Sequence, residues 1–173
     1  MRDSLVLTVV GPDRTGLVEE LAEQIATAGG NWEASRMARL AGQFAGILQV
    51  SIDAGATDRL LAALRALEAR GLAVTVRPAG EGGAAVATHS ARLELTGHDR
   101  VGIVREVAAA LAALGVNVEE LESEVHSAPM SGDPLFLARA VLRVPTAHTL
   151  AEVRTRLEAL GGELMVDLVA ADE

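Results

Sequence analysis

The chain has no cysteine, and its aromatic residues are one tryptophan and two phenylalanines among 173 residues. Without cysteine there is no disulfide, thiol nucleophile or thiolate metal site. Positive charge is also scarce: 15 basic residues face 24 acidic ones, for a net charge of -9, and no stretch gathers arginines into a stripe that could neutralise successive phosphates. Basic and aromatic residues are not interleaved, so Trp32 and Phe136 read as core or interface anchors rather than a stacking platform. Direct binding to duplex DNA is disfavoured. A long apolar run is missing too, since the one within residues 1–10 ends at Gly11-Pro12. That is too short for a signal segment or for a bilayer span of about 20 residues. The expectation is a cytoplasmic, soluble protein with no membrane contact.

What is present suits a packed core, with half the residues apolar and 23% charged. An internal repeat organises it. The segment Gly11-Pro-Asp-Arg-Thr-Gly-Leu-Val-Glu-Glu-Leu-Ala returns as Gly97-His-Asp-Arg-Val-Gly-Ile-Val-Arg-Glu-Val-Ala, an offset of 86 residues. About half the positions from Gly11 to Glu33 are identical at that offset, including Gly29/Gly115, Asn31/Asn117 and Glu33/Glu119. Two homologous domains follow, over 1–78 and 91–173, joined by a Gly- and Ala-rich linker at 79–90. The linker's Gly80-x-Gly82-x-x-Ala85 loosely matches a dinucleotide fingerprint, but no clear helix follows to present its amides, so no nucleotide cofactor is expected.

The periods within each half give secondary structure. Residues 5–10 carry apolar side chains on both faces of a strand, and Leu17, Val18, Leu21, Ala22 and Ile25 recur at helical spacing before a Gly29-Gly30 stop. Two strands then flank Gly42, Thr57 or Asp58 can cap a helix carrying Leu60, Leu61, Leu64 and Leu67, and a strand from Leu72 closes the half. The second half repeats the order. The predicted fold is α+β, two ferredoxin-like βαββαβ domains, each an antiparallel four-stranded sheet with two helices on one face. Such a sheet leaves an edge and a face uncovered, which pairing of the two domains or of two chains would satisfy, and a homodimer is expected.

The loop signature Gly-x-Asp-Arg-x-Gly-[Leu/Ile]-Val, followed by Gly-x-Asn on the next strand, resembles the ACT domain, a regulatory module that commonly binds amino acids. It occurs twice. More narrowly, Ser35-Arg-Met-Ala-Arg-Leu40 leading into Phe44-Ala-Gly, with Ala128-Pro-Met-Ser-Gly-Asp-Pro-Leu-Phe136, resembles the tandem-ACT glycine cleavage system transcriptional repressor family. The resemblance implies a regulatory protein that senses a small molecule, an amino acid such as glycine. It also implies a protein partner, a DNA-binding activator of glycine cleavage genes, in place of DNA itself. ACT loops often carry Pro where this chain has Thr15 and Val101, and Pro12 is exchanged for His98 between the repeats.

The candidate ligand-binding residues follow from the loops. Each first helix starts after a glycine-containing turn, so amides near Arg14 to Gly16 and near Arg100 to Gly102 can face a carboxylate, aided by the positive end of the helix. Gly16 and Gly102 allow close backbone approach, and Arg14 and Arg100 add charge. Asp13 and Asp99 are candidates for ligand contact, with N-capping the stronger role. Asn31 and Asn117 offer a donor and an acceptor, with a left-handed residue after a helix as the equal alternative. His98 is a candidate anion contact on an otherwise solvated loop. His89, His126 and His148 lack metal-ligand spacing, so no metal is expected. An enzyme is not expected either: Ser131-Gly132-Asp133-Pro134 lacks a nucleophile-elbow context and reads as a turn.

Overall fold

A computed structural model describes residues 1–80, 86–128, 132–161 and 163–171. Glu81 to Ala85 of the linker and Ser131 of the Ser-Gly-Asp-Pro turn lie outside the described residues, as do Pro129 and Met130 of the second subfamily segment. The chain divides into two compact units, Met1–Gly83 and Ala84–Glu173.

In the first unit the order is β1 (Arg2–Pro12), α1 (Leu17–Thr27), β2 (Asn31–Leu40), β3 (Gln43–Asp53), α2 (Thr57–Glu68) and β4 (Ala73–Pro78). The second unit repeats it as β5 (Thr88–His98), α3 (Ile103–Ala113), β6 (Asn117–Ser127), β7 (Pro134–Pro145), α4 (Leu150–Glu158) and β8 (Met165–Ala170). β5 starts at Thr88, inside the stretch read from sequence as linker. Each unit is the expected ferredoxin-like α+β fold, with sheet orders β2-β3-β1-β4 and β6-β7-β5-β8 and antiparallel pairing throughout.

Alternation along β1 sends Leu5, Leu7 and Val9 inward, where they meet Leu17, Leu21 and Ile25 of α1 and Leu60, Leu64 and Leu67 of α2. The spacing of those helical leucines puts one stripe of each helix on the sheet. α1 ends in a Schellman turn: the Gly29 amide donates to the Ala26 carbonyl and Gly30 to Ile25, both at 2.9 Å, with Gly29 at φ 80°. Gly115 closes α3 in the same way, bonding to Ala112 while Val116 bonds to Leu111. The β2-β3 hairpin turns on Ala41 (φ 48°) and Gly42 (φ 77°), the left-handed pair that a two-residue loop requires.

One local expectation fails at α2. A short 3₁₀ turn, Ala54–Ala56, leads into the helix, which has no side-chain cap. The Thr57 hydroxyl instead donates to Asp3 Oδ2 at 2.8 Å, tying the helix start to β1.

Candidate functional site

The strand-to-helix loops at Gly11–Gly16 and Gly97–Gly102 are built alike. Gly16 (φ 89°) and Gly102 (φ 91°) are the N-cap residues of α1 and α3, and neither helix start receives a side-chain cap. In α1 the Glu20 amide bonds to the Gly16 carbonyl at 2.9 Å, so the amides of Leu17, Val18 and Glu19 precede the first helical acceptor. In α3 the Ile103 amide turns back to Arg100, and Glu106 bonds to Gly102 at 3.0 Å, leaving Val104 and Arg105 in the same position. Two glycine positions along these loops are thereby explained by φ, not by crowding: a Cβ on Gly16 would meet nothing closer than Glu19 Oε2 at 4.0 Å, and one on Gly102 nothing closer than 3.9 Å. Gly11 is the contrasting case, since its Cβ would lie 2.5 Å from the Gly71 carbonyl oxygen.

The capping role expected of Asp13 and Asp99 is overturned, because a left-handed glycine occupies the cap position three residues later. Asp13 pairs with Arg39 at 2.6 Å and its amide donates to Gly42, which fastens the loop to the β2-β3 hairpin. The Asp99 amide likewise donates to Pro134 at the start of β7. Arg14 and Arg100 form two-pronged bonds with Glu20 (3.0 and 2.6 Å) and Glu106 (3.0 and 2.5 Å), each fork spanning its helix start. Hydrogen bonding by the arginine holds each glutamate below the ordinary carboxylate range, and the glutamate raises its arginine in return. Arg70 adds a second cation 3.7 Å from Glu20. The pair was visible in the sequence, since both Arg14/Arg100 and Glu20/Glu106 recur at the same offset, but reading each helix start alone hides it. His98 lies 3.6 Å from Glu163, an ion pair only when the imidazole is protonated.

Asn31 and Asn117 do not join these loops within a unit. Asn31 lies in the row Ser4-Ser51-Asn31, whereas Gly11 lies in the row Gly11-Phe44-Arg39. Seven strand residues separate the rows, about 23 Å at roughly 3.3 Å per residue. The second unit repeats this, with Asn117 beside Arg143 and Ser90 and Gly97 beside Phe136 and Val125. Nor are the asparagines left-handed, since the positive φ after each helix falls on Gly29 and Gly115. Among the described residues, no group of three His, Asp or Glu side chains is placed to hold a metal.

The ACT domain family matches twice, over residues 3–77 and 91–162, in register with the two units. The chain belongs to the ACT domain family. A solved structure titled as an unknown protein from Galdieria sulphuraria is 32% identical, with 99% of this chain and all of that one covered at a TM-score of 0.83. A second, of a putative glycine cleavage system transcriptional repressor, is 18% identical over 99% of both chains with a TM-score of 0.70, a likeness of fold. No curated protein matches the chain. The two units are therefore ACT domains in tandem, and their βα loops differ at Pro12/His98 and Thr15/Val101. No helix among the described residues is long and apolar enough to cross a membrane.

Proposed function

We propose that this tandem ACT protein senses an amino acid and controls glycine cleavage gene expression through contact with a DNA-binding activator, without catalysing a reaction. The observation that carries the reading is the pair of uncapped helix starts at Gly16 and Gly102, each presenting free amides at the positive end of a helix. An α-amino acid brings the carboxylate these amides lack. In the first unit, Leu17, Val18 and Glu19 form the seat for a small ligand such as glycine. Arg14 acts from one side, holding Glu20 so that its carboxylate does not occupy the amides itself. Asn31 and Asn117, at the far end of each sheet, fall outside this seat. The net charge of -9 favours a protein partner over DNA.

Glycine at about 100 times its dissociation constant is expected to stabilise the full chain by about 2.7 kcal/mol, read as a rise in Tm. Gly16→Val is expected to lower that response while ligand-free melting stays cooperative, because a β-branched residue is strained at φ 89° and crowds the amides. A Tm unmoved by glycine and by the other common amino acids would overturn the sensing role. Recovery of a metabolic enzyme in place of a transcription factor on co-purification would assign the chain to enzyme regulation instead.

A further inference from the structure

The second ACT unit contains a groove that the first unit fills with its own side chains. It is open to solvent on one side, and every residue lining it is apolar. One wall is the face of α3 carrying Val104, Val107, Ala108 and Leu111. The floor is Phe136, Ala138 and Ala140 of β7, and the outer lip is Val118 and Leu121 of β6. Val118 is 37% and Leu121 55% exposed although both face the helices, because they lie opposite the buried Leu142 and Ala140.

The repeat shows what belongs in that space. Pairing with the central strand fixes the equivalences: Leu48 faces Leu7 as Ala140 faces Leu93, and Gly46 faces Val9 as Ala138 faces Leu95. On the edge strand, Trp32 and Met37 of the first unit stand where Val118 and Ser123 stand in the second. Trp32 and Met37 pack against the first core, and Met37 lies so closely over Gly46 that a Cβ there would sit 2.6 Å from Met37 Cγ. The second unit thus exchanges an indole for an isopropyl, a thioether for a hydroxymethyl and a floor leucine for alanine. Leu121, where the first unit has Ser35, restores only part of that volume. A space that one repeat fills with a thioether and an indole is left open in the other, with its walls still apolar.

We infer that the second unit binds an amino acid with a large apolar side chain, which enters this groove and replaces the packing that Trp32 and Met37 supply in the first unit. The placement rests on the carboxylate seat proposed above: Val104 belongs to the uncapped first turn of α3, and Phe136 lies in the row of Gly97. A ligand whose carboxylate meets the Val104 and Arg105 amides therefore has its side chain at the groove's near end. Glycine, with no side chain, leaves the groove empty. The two ACT units then differ in specificity, the filled one suited to a small amino acid and the open one to leucine or methionine.

The test is isothermal titration of the full chain with L-leucine, L-methionine and glycine, on the natural protein and on groove-filling variants. Leucine and methionine are expected to bind the second unit at least about tenfold more tightly than glycine does. Ala140→Leu, which restores the residue of the first repeat, is expected to weaken leucine binding by a similar factor and leave the glycine response unchanged. Val118→Trp fills the groove from the exposed lip and serves if Ala140→Leu disturbs folding. Leucine and methionine binding no better than glycine, or leucine binding retained in a cooperatively folded filled variant, overturns the inference alone. Absence of any amino-acid binding overturns the sensing role as well.

Discussion

Glycines in one loop are required for unlike reasons, and that difference can be measured. Gly11→Ala would drive a methyl to 2.5 Å from the Gly71 carbonyl oxygen, backbone that cannot swing aside, and is expected to cost about 1–3 kcal/mol in urea unfolding. Gly16→Ala meets open space but is held at φ 89°, for an expected cost of about 1–2 kcal/mol. Equal and negligible costs would refute both assignments. The glycine positions were legible as a repeated motif; their separate causes were not, because one depends on the β4 end of the sheet and the other only on local backbone. The same limit applies to Asp13, whose capping role is a sound local inference defeated by a long-range partner, Arg39. Glu20 and Glu106 titrate below the ordinary glutamate value of 4.5 through their arginine bonds. A carboxyl depressed on folding adds stability above its unfolded pKa and loses it as pH falls through the folded one. Tm is therefore expected to fall below about pH 4.5, and Glu20→Gln with Glu106→Gln should flatten that fall. A slope unchanged in the double variant would show that the pairs contribute nothing. Both glutamates are open in part to solvent, so the change is small.

Element boundaries followed from periodicity wherever one face of a helix or strand is buried, as in β1 and α1. They were less accurate at caps and edges. Among the described residues, α4 is the one helix with a side-chain cap: Thr149 Oγ1 accepts from the Glu152 amide at 3.2 Å, and Glu152 Oε2 accepts from the Thr149 amide at 2.7 Å. Thr149→Ala is expected to cost about 1 kcal/mol, read from the denaturation midpoint, whereas Asp99→Ala should cost no capping energy. Equal losses in the two would contradict the cap assignments. β6 presents a different limit. Every one of its residues is exposed, and four glutamates, Glu119, Glu120, Glu122 and Glu124, sit on this edge strand, a charge pattern that discourages edge-to-edge pairing. Its apolar residues, Val118, Leu121 and Val125, follow an irregular spacing because a bulge between Val118 and Glu120 resets the alternation. The groove was hidden for the same reason. The equivalence of Leu48 with Ala140 departs from the offset of the helices, since the β6-β7 connection is longer than the two-residue β2-β3 turn, and only strand pairing reveals it.

At the scale of the whole molecule the repeat sets what can be separated. Among the described residues, one core is built from residues between Leu5 and Leu72 and the other from residues between Ala91 and Leu168. Each fragment is small enough that only about 60% of its unfolded surface is buried on folding, which makes its own core the deciding term. Met1–Gly83 and Ala84–Glu173, expressed separately, are each expected to melt cooperatively. Leu142→Ala, at a fully buried position of the second core, is expected to remove about 2–5 kcal/mol, enough to unfold the second fragment while the first is untouched. Calorimetry of the two fragments checks this directly. Loss of cooperative melting in the first fragment merely on separation would mean that its fold needs contacts its own core does not supply.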